Sequence, residues 1–436
     1  MNLMRLAIFL SLVVLIFFTQ RFWFLGAWHW IATVHRPVAK NLLQVLWFVA
    51  LIVFVTAFLD PMLGRPFSRV IGGKWIVAVA RVWLFASFFA FLAVKFVGAL
   101  GWFSGTVLAS SNDPAFNPSR RDFFRYATYF AGSLPFLAAT YGFAAGRLKF
   151  RVERVEVPIT NFPKELDGLK IVQLSDIHIG DFMPREEVRR AVDLANSLNA
   201  DMAVVTGDFI SSQGDPLEDC VAELSQLRAP LGIWGCNGNH EIYADAEESA
   251  QQLFQQHGMK LLRQERVELD WHGGKFNLVG VDYQRDHMTR GPSGPMLQGL
   301  EPLLRREVPN ILLSHNPNSF RRAAELGIEL SLAGHTHGGQ VKIEIVDHNI
   351  TPARLITDFP AGLYHLPMGN GASNNGRGDN TSGTNPGGTA INGSAVSVNG
   401  NNRKSFLYVN RGLGTFAMPV RIGVPPEITL LTLRAV

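Results

Sequence analysis

Residues 169–178 read Leu-Lys-Ile-Val-Gln-Leu-Ser-Asp-Ile-His, a short and mostly apolar run that ends on an acidic residue and a histidine. A run of this length and character indicates a strand that is buried on both faces of a sheet. Asp176 and His178 then fall just beyond the carboxyl end of that strand, where α/β folds gather their ligands. This stretch therefore predicts both the fold class and the position of a site.

The same pattern recurs along the second part of the chain, where short apolar runs alternate with segments of helical period. The predicted strands are Leu169–Leu174, Met202–Thr206, Gly232–Gly235, Phe276–Val281, Ile311–Leu313, Leu330–Ala333 and Ile428–Leu433. The predicted helices are Glu186–Leu198, which follows Pro184 and has its apolar residues on one face, and Ala244–His257. Alternating strands and helices predict an α/β domain in which helices pack on a sheet.

Four more polar clusters follow predicted strands in the same way as Asp176-Ile177-His178. They are Gly207-Asp208, Gly238-Asn239-His240, His315 and Gly334-His335-Thr336-His337. Together the clusters offer carboxylate and amide oxygens and several imidazoles, which is about what two neighbouring divalent ions need from a protein. Because all of them lie at strand ends, they predict one metal site at one edge of the fold.

The predicted ligand set has a chemical logic. Two cations a few ångströms apart repel each other, so an anionic oxygen should lie between them, and Asp208 is the candidate. Asp176 supplies a second anionic oxygen, and Asn239 supplies a carbonyl oxygen that adds no charge. Neutral imidazole nitrogens suit ions such as Mn, Fe and Zn better than Ca. The candidate imidazole ligands are His178, His315, His335 and His337.

These clusters, in this order, resemble the motifs of the calcineurin-like metallophosphoesterase family. The family pattern is Asp-x-His, Gly-Asp, Gly-Asn-His-(Asp/Glu), His and Gly-His-x-His, and every motif is intact here, with Glu241 at the alternative acidic position. The resemblance covers about Leu169 to Leu433, and the ending around Asn410–Gly414 looks like a membrane-associated bacterial branch. It implies a four-layer α/β/β/α sandwich that hydrolyses phosphate esters.

The resemblance also implies a role for each residue. One ion would be held by Asp176, His178, Asp208 and His337, and the other by Asp208, Asn239, His315 and His335. His240 would bind no metal and would act beside the phosphate as a proton donor or charge stabiliser. The expected catalytic residues are therefore His240 and Asp208. Glu241 would either orient a neighbouring histidine or lie on the surface as a plain carboxylate.

The first 146 residues have a different character, because Phe and Trp crowd this region and charged residues are few. Four apolar stretches approach or exceed the roughly 20 residues that a helix needs to cross a bilayer. They are Leu3–Thr19, Leu42–Leu59, Trp75–Phe103 and Tyr126–Gly146. The stretches predict an all-α bundle of about four transmembrane helices. A signal peptide for the first stretch and buried helices of a soluble domain are the alternatives.

The predicted domains are a transmembrane helical region at 1–146, a linker with the first strand at 147–168, and a metallophosphoesterase domain at 169–436. Within the last, residues 369–404 are dominated by Asn, Gly, Ser and Thr and are predicted to form a disordered insertion. Slightly more Lys and Arg residues flank the spans on the side of the catalytic domain than on the other. This bias favours a cytoplasmic catalytic domain. The resemblance to the bacterial branch implies that the membrane is the bacterial inner membrane.

The expected function is hydrolysis of a phosphodiester or pyrophosphate bond by a membrane-anchored enzyme with two divalent metal ions (Mn, Fe or Zn). The expected partners are the bilayer and a phosphate-ester substrate, with a lipid-linked substrate as one hypothesis. The net charge of +4 and the absence of a dense basic stripe argue against nucleic acid. The alternative is a metal-dependent phospholipid-binding membrane module without turnover. Cys220 and Cys236 match no zinc spacing, and Cys236 is expected to be a buried free thiol.

Overall fold

The computed structural model describes residues 3–60, 72–108, 118–284, 296–345, 348–355, 357–369, 403–416 and 418–436. The chain forms two compact units. One comprises Met1–Ala144 with Ala417–Val420, and the other comprises Ala145–Phe416 with Arg421–Val436.

The first unit is helical. Its helices are α1 (Leu3–Ala32), α2 (Pro37–Leu59), α3 (Gly73–Leu108) and α4 (Pro118–Ala144). By length and composition, two of them are able to cross a membrane, namely Pro37–Ala57 within α2 and Gly73–Phe103 within α3. Among the described residues, α1 and α4 do not meet the same test, so the bundle of four spans stays a prediction. Helix α1 also continues well past Thr19, where the first apolar stretch was expected to end.

Polar side chains join α1 and α3 inside this unit. The buried Gln20 amide donates to the Ser87 hydroxyl at 2.9 Å, and the Trp83 indole donates to the Gln20 oxygen at 3.2 Å. Trp23 donates to the Ser87 carbonyl at 2.9 Å. Because these groups have few other partners in an apolar surrounding, their mutual hydrogen bonds fix the register of α1 against α3.

The second unit contains two six-stranded sheets and a separate hairpin. The strands are β1 (Arg151–Ile159), β2 (Lys170–Leu174), β3 (Met202–Val205), β4 (Ile233–Gly235), β5 (Lys260–Leu261), β6 (Glu265–Trp271), β7 (Gly274–Gly280), β8 (Asn310–Leu313), β9 (Leu330–Ala333), β10 (Ile343–Ile345), β11 (His348–Ile350), β12 (Gly362–Pro367), β13 (Lys404–Val409) and β14 (Glu427–Ala435). The first sheet has the order β1-β14-β2-β3-β4-β5 and the second has the order β12-β13-β9-β8-β7-β6. Strands β10 and β11 form the hairpin.

Helices cover the outer faces of the two sheets. They are α5 (Arg185–Asn196), α6 (Leu217–Leu224), α8 (Glu247–Gln256) and α9 (Phe320–Glu325), whereas the short α7 (Asn239–Tyr243) lies beyond the end of β4. The side chains of β2 show how the layers arise, since Val172 packs in the core that contains α5, α6 and α8, whereas Ile171 packs in the core between the sheets. On the far side, Phe320 and Ala323 of α9 pack against the second sheet. The α/β class is confirmed, and these layers are consistent with the expected sandwich.

Parallel pairing brings the strand ends together. Strands β2, β3 and β4 run parallel to one another, and so do β8 and β9. Their carboxyl ends therefore lie along one edge of each sheet, which is where the polar clusters of the sequence fall. The predicted strands correspond to β2, β3, β4, β7, β8, β9 and β14, with ends that differ by a few residues.

Several strands were not predicted, namely β5, β6, β10, β11, β12 and β13, and one predicted helix begins later than expected. Strand β6 was not identified from the sequence, because its polar and apolar residues alternate and it lies at the edge of the second sheet, paired only with β7. The predicted helix Ala244–His257 begins later, at Glu247, and follows the separate short helix α7. Asp245 adopts a left-handed backbone (φ 51°) between them, which interrupts helical hydrogen bonding.

The predicted insertion at 369–404 falls mostly outside the described residues, which resume at Arg403. The residues that flank it are hydrogen-bonded to the rest of the unit. Met368 donates its N–H to the Arg403 carbonyl at 2.9 Å, and Gly369 donates to the Ala324 carbonyl at 2.8 Å. Lys404 already belongs to β13, which pairs with β9 in the middle of the second sheet through Phe406–Val409.

Candidate metal centre

Each predicted site residue lies directly beyond a strand of one of the two sheets. Asp176 and His178 follow β2, Asp208 follows β3, Asn239 and His240 follow β4, His315 follows β8, and His335 and His337 follow β9. All of them are buried except His335, which is half-buried. The strand ends therefore carry a set of polar side chains into an interior position at the edge of the fold.

Within this set, side chains form three groups whose potential ligand atoms lie within 4.8 Å of one another, and two of these groups share no residue. One group consists of Asp176, His178 and His337, and the other consists of Asp208, His315 and His335. Each group holds one carboxylate and two imidazoles, which is a donor set suited to a divalent transition metal.

The Asp208 carboxylate lies between the two groups. Its Oδ2 atom is 3.0 Å from His315 Nε2 in its own group and 3.7 Å from His178 Nε2 in the other. On the opposite side, Asp176 Oδ1 is 3.4 Å from His337 Nε2 and 3.9 Å from His315 Nε2. The carboxylates and imidazoles of the predicted site residues therefore converge on one volume.

Backbone carbonyls orient three of the imidazoles. The Nδ1 atoms of His178, His240 and His315 lie 3.1, 2.7 and 2.5 Å from the carbonyl oxygens of Ile210, Ser211 and Thr206, respectively. A carbonyl oxygen can only accept, so Nδ1 carries the proton in each ring. This fixes the tautomer and leaves Nε2 as the atom available at the centre, as is usual for histidines that bind metals.

The loops at the centre have an unusual backbone. Asp176, His178, Asp208, His335 and His337 all adopt left-handed conformations, with φ between 48° and 73°. Such a conformation costs a residue other than glycine about 1 kcal/mol, and residues of this kind cluster at functional sites. Hydrogen bonds across the loops hold them in place, as where the His178 N–H donates to the Asp208 carbonyl at 3.0 Å.

Close approach of the loops also requires glycine at particular positions. A Cβ atom on Gly334 would overlap with the Ser175 hydroxyl and the Asp176 carboxylate. A Cβ atom on Gly238 would overlap with the Asp208 carboxylate. Gly238 and Gly334 therefore permit contact between a backbone and a carboxylate.

Burial sets the electrostatic character of most of the imidazoles. It lowers the pKa of His178 to about 3 and that of His335 to about 4. Burial and the neighbouring His178 also lower the pKa of His337 well below its ordinary value. These three rings are therefore neutral, which is the form that donates a nitrogen lone pair to a metal.

The two buried carboxylates favour a positive charge at the centre. Burial raises the pKa of Asp176 to about 6, and the nearby Asp208 adds to this effect. Burial also acts to raise the pKa of Asp208, but His315 and His240 outweigh it and hold that pKa well below the ordinary value. Burial acts to lower the pKa of His315, whereas Asp208 and Asp176 raise it to about 10. The two buried carboxylates thus attract whatever cation is present, whether a proton or a metal.

Two unpartnered polar atoms show that the residues fit a metal pair. Among the described residues, Asn239 Oδ1 and His315 Nε2 are buried and meet the geometry of no hydrogen bond, although His315 Nε2 lies 3.0 Å from Asp208 Oδ2. A buried acceptor left unpaired costs about 1–3 kcal/mol. In the first group, His178 Nε2 and His337 Nε2 lie only 3.1 Å apart. A metal ion would satisfy the Asn239 oxygen, and it would replace the proton that the raised pKa of His315 places between that ring and Asp208.

Glu241 has a different position from either of those expected. It is fully buried rather than on the surface, and its carboxylate contacts backbone N–H groups rather than a histidine. It accepts hydrogen bonds from the N–H groups of Asp208 at 2.9 Å, Phe209 at 2.8 Å, Ile210 at 3.4 Å and Gly238 at 2.8 Å. Burial, and then the charge of Asp208, raise its pKa to about 7. Glu241 therefore ties the loop after β3 to the loop after β4.

Replacing Glu241 with alanine should loosen both loops at once. The substitution leaves several buried N–H groups without an acceptor, so we expect the free energy of unfolding to fall by about 3 kcal/mol or more. Thermal unfolding of the purified chain, with and without added Mn²⁺, measures this loss, and elemental analysis should show less bound metal.

Glu248→Ala is the matched control, because the Glu248 side chain is 75% exposed and its ion pair with Arg263 is a surface pair worth little. If Glu241→Ala and Glu248→Ala unfold at the same temperature, the proposed tie between the loops is wrong.

Sequence reasoning missed two residues beside the centre. Tyr283 lies after β7, and its hydroxyl is 3.5 Å from His335 Nε2. The strand-end rule that identified the other residues could have found it. Arg421 is fully buried, donates to the carbonyls of Arg411 at 2.8 Å and Gly412 at 3.0 Å, and approaches His337 Nδ1 at 3.5 Å. Nothing in the sequence distinguishes a buried arginine from an exposed one.

Both cysteines are buried free thiols, as was expected of Cys236.

The structure also brings His240 together with His178 and Asp208 as a third group of potential ligands. His240, which was predicted to bind no metal, therefore lies within reach of the centre.

Comparison with known proteins agrees with this geometry. Residues 169–339 match the family model described as calcineurin-like phosphoesterase. The chain is 30% identical over 310 residues to the transmembrane protein with metallophosphoesterase domain of Danio rerio, which covers 68% of this chain and 60% of the relative. It is 31% identical over 297 residues to the Bos taurus protein of the same description, with 65% of this chain and 57% of the relative covered. The chain thus spans less than two thirds of the length of these two relatives.

A bacterial relative is covered almost completely. The chain is 28% identical over 326 residues to the uncharacterized metallophosphoesterase YkuE of Bacillus subtilis, with 73% of this chain and 98% of the relative covered. Since vertebrate and bacterial proteins both match, a bacterial branch stays a prediction. The family uses a dinuclear metal site, and its members are generally phosphoester hydrolases. Through its sequence motifs, its family match and its relatives, the chain belongs to the calcineurin-like phosphoesterase family.

Proposed function

We propose that the chain is a metal-dependent hydrolase that cleaves a phosphodiester or pyrophosphate bond at a membrane surface. The observation that carries this proposal is the position of Asp208, whose carboxylate lies within 3.7 Å of imidazoles from both groups. A carboxylate shared between two sets of imidazole nitrogens is the arrangement that a pair of divalent ions requires.

The proposed ligand assignment follows the two groups. Asp176, His178, Asp208 and His337 would hold one ion, and Asp208, Asn239, His315 and His335 would hold the other. The proposed metals are Mn, Fe or Zn, because this mixture of carboxylate, amide and imidazole suits all three. When bound, the two ions supply positive charge to the phosphate oxygens and a water molecule of lowered pKa.

His240 is the proposed proton donor. Its Nδ1 is committed to the Ser211 carbonyl at 2.7 Å, and its N–H in the backbone donates to Asp208 Oδ1 at 2.9 Å. These bonds hold the ring and the backbone of His240, with Nε2 left to face a bound phosphate ester. With Nε2 also protonated, the imidazolium would give that proton to the departing oxygen as the bond to phosphorus breaks.

A substrate at the membrane surface is supported by α2 and α3, which have the length and composition of spans. Lipid-linked phosphate esters, such as a diacylated nucleotide-sugar pyrophosphate, are the proposed substrate class. We further propose that the bacterial inner membrane holds the protein with its catalytic unit in the cytoplasm and that no nucleic acid takes part. These assignments go beyond the family itself.

The test uses the full chain purified in detergent, stripped with a chelator and reloaded with Mn²⁺, Fe²⁺ or Zn²⁺. Phosphomonoesters, phosphodiesters and pyrophosphates are then screened, together with a radiolabelled diacylated nucleotide-sugar. We expect hydrolysis of a diester or a pyrophosphate that returns with the added metal. Absence of cleavage of every substrate by the reloaded chain would contradict the proposal, and absence of cleavage of the labelled lipid alone would remove only that substrate.

A further inference from the structure

Exposed aromatic side chains are scarce in the second unit. Among its described residues, the exposed large apolar side chains are Tyr243 (58%), Phe416 (44%) and Val436 (66%). Isolated apolar residues on a surface need no explanation. The two aromatic ones, however, are not isolated, because both rings lie against the same imidazole.

That imidazole belongs to His240. The Phe416 ring centroid is 4.8 Å from the His240 ring, and the Tyr243 ring centroid is 5.8 Å from it. Phe416 also stacks on His178, at 6.1 Å between centroids. We call these two side chains, Phe416 and Tyr243, the aromatic rim. It borders the centre on the side of His240, whereas Tyr283 and His335 lie together at 5.3 Å elsewhere in the site.

Phe416 is exposed but held in place. Its backbone N–H donates to the Gln340 side-chain oxygen at 2.7 Å, and the Gln340 amide donates back to the Phe416 carbonyl at 2.8 Å. The backbone carbonyl of Gln340 also accepts from Ile422 N–H at 2.9 Å, beyond the same loop. One glutamine thus fixes the loop that carries Phe416. Two hydrogen bonds to its backbone hold Phe416 in position, and its exposed ring rests against His240.

We propose that the aromatic rim is the subsite for the leaving group and that it selects an apolar one. This inference rests on the proposed function, in which His240 protonates the departing oxygen. Whatever is attached to that oxygen must then lie beside His240, and the surface there is apolar and exposed. A planar or alkyl group would cover both rings and remove their apolar surface from water, which is favourable. A polar group would leave that surface in contact with water.

The reaction balances without another reagent. Water forms a bond from its oxygen to phosphorus and releases one proton, which restores through solvent the proton that His240 gives up. The bond between phosphorus and the leaving oxygen breaks. The electron pair remains on the leaving oxygen, which takes a proton from His240 and departs as an alcohol. The aromatic rim contacts only the carbon part of that alcohol, so it affects which of two ester bonds breaks.

A substrate with two different ester bonds tests this directly. Benzyl methyl phosphate carries one apolar and one small group on chemically similar oxygens, and release of benzyl alcohol or methanol reports which bond broke. We expect the full chain in detergent, loaded with Mn²⁺, to release benzyl alcohol over methanol by about tenfold. Butyl methyl phosphate, assayed in parallel, separates a preference for a flat ring from a preference for any apolar group.

Variants connect the preference to the rim. Phe416→Ala and Tyr243→Ala should each lower the ratio of benzyl alcohol to methanol several-fold toward one, and Phe416→Tyr should keep it. Val436→Ala is the matched control, because it removes the remaining exposed apolar side chain outside the rim and should leave the ratio unchanged. As a readout without turnover, benzylphosphonate should bind more weakly to Phe416→Ala than to the wild-type chain by calorimetry, whereas methylphosphonate should bind both equally.

The outcomes separate this inference from the function on which it rests. If the wild-type chain releases neither alcohol, the proposed phosphodiesterase activity fails. If it releases both alcohols equally, or if the preference survives in Phe416→Ala and Tyr243→Ala, hydrolysis stands and the subsite is overturned.

Discussion

Asp208→Asn should abolish phosphoester hydrolysis and lower the metal content of the purified chain together. Asparagine has the same shape and can still accept the hydrogen bond that His240 N–H gives to Oδ1. It lacks the negative charge that lies between His178 and His315. Without that charge two cations would face each other across a neutral amide, and we expect metal affinity to fall by at least about 100-fold.

The measurement combines elemental analysis of the purified variant with its rate of hydrolysis across a range of Mn²⁺ concentrations. Asp193→Asn is the matched control, since Asp193 is exposed on α5 and should keep full activity and metal. Circular dichroism after chelation separates the effect from misfolding, because the variant should keep its secondary structure at the assay temperature even though it loses the buried partner of His315 and should unfold at a lower temperature. Wild-type metal-dependent hydrolysis by Asp208→Asn would show that the site assignment is wrong.

His240→Gln should give the opposite combination, with activity lost and metal retained. If His240 protonates the leaving oxygen, its loss should lower kcat by about 10²–10⁴-fold. The proposed ligands are all still present in this variant, so elemental analysis should find as much metal as in the wild-type chain. The loss should be much smaller for a 4-nitrophenyl ester, because 4-nitrophenolate departs without needing a proton.

The same variant distinguishes a metal ligand from a proton donor at His240. His240 lies close enough to His178 and Asp208 to count as a potential ligand. If His240→Gln loses metal in proportion to activity, then His240 is a ligand and the proton donor must be sought elsewhere. If it keeps metal and loses activity equally on good and poor leaving groups, a role in charge stabilisation replaces the role in proton transfer.

Much of the fold and the metal centre was predictable because the information is local. In β2 the residues alternate between two cores, so an apolar run of the right length is enough to identify a strand buried on both faces. Parallel strands share the direction of their carboxyl ends, so residues after each strand could be expected to meet. Asp176, Asp208 and His337 do meet, although 161 residues separate the first from the last.

The remaining features depend on contacts between distant segments. Gln340 holds Phe416 across 76 residues of sequence, and no local pattern predicts that pair. The burial of Glu241 follows from the start of α7 at Asn239, which directs the carboxylate toward the loop after β3. In the helical unit, apolar composition predicts the helices well but does not determine how many of them cross a membrane.

The central claim is that two ions share Asp208. Anomalous X-ray scattering from crystals of the full chain grown with Mn²⁺ tests it most directly. The account predicts two peaks about 3.5–4 Å apart, one beside His178 and His337 and the other beside His315 and His335, with the Asp208 carboxylate touching both. A single peak, or two peaks of which only one contacts Asp208, would contradict it.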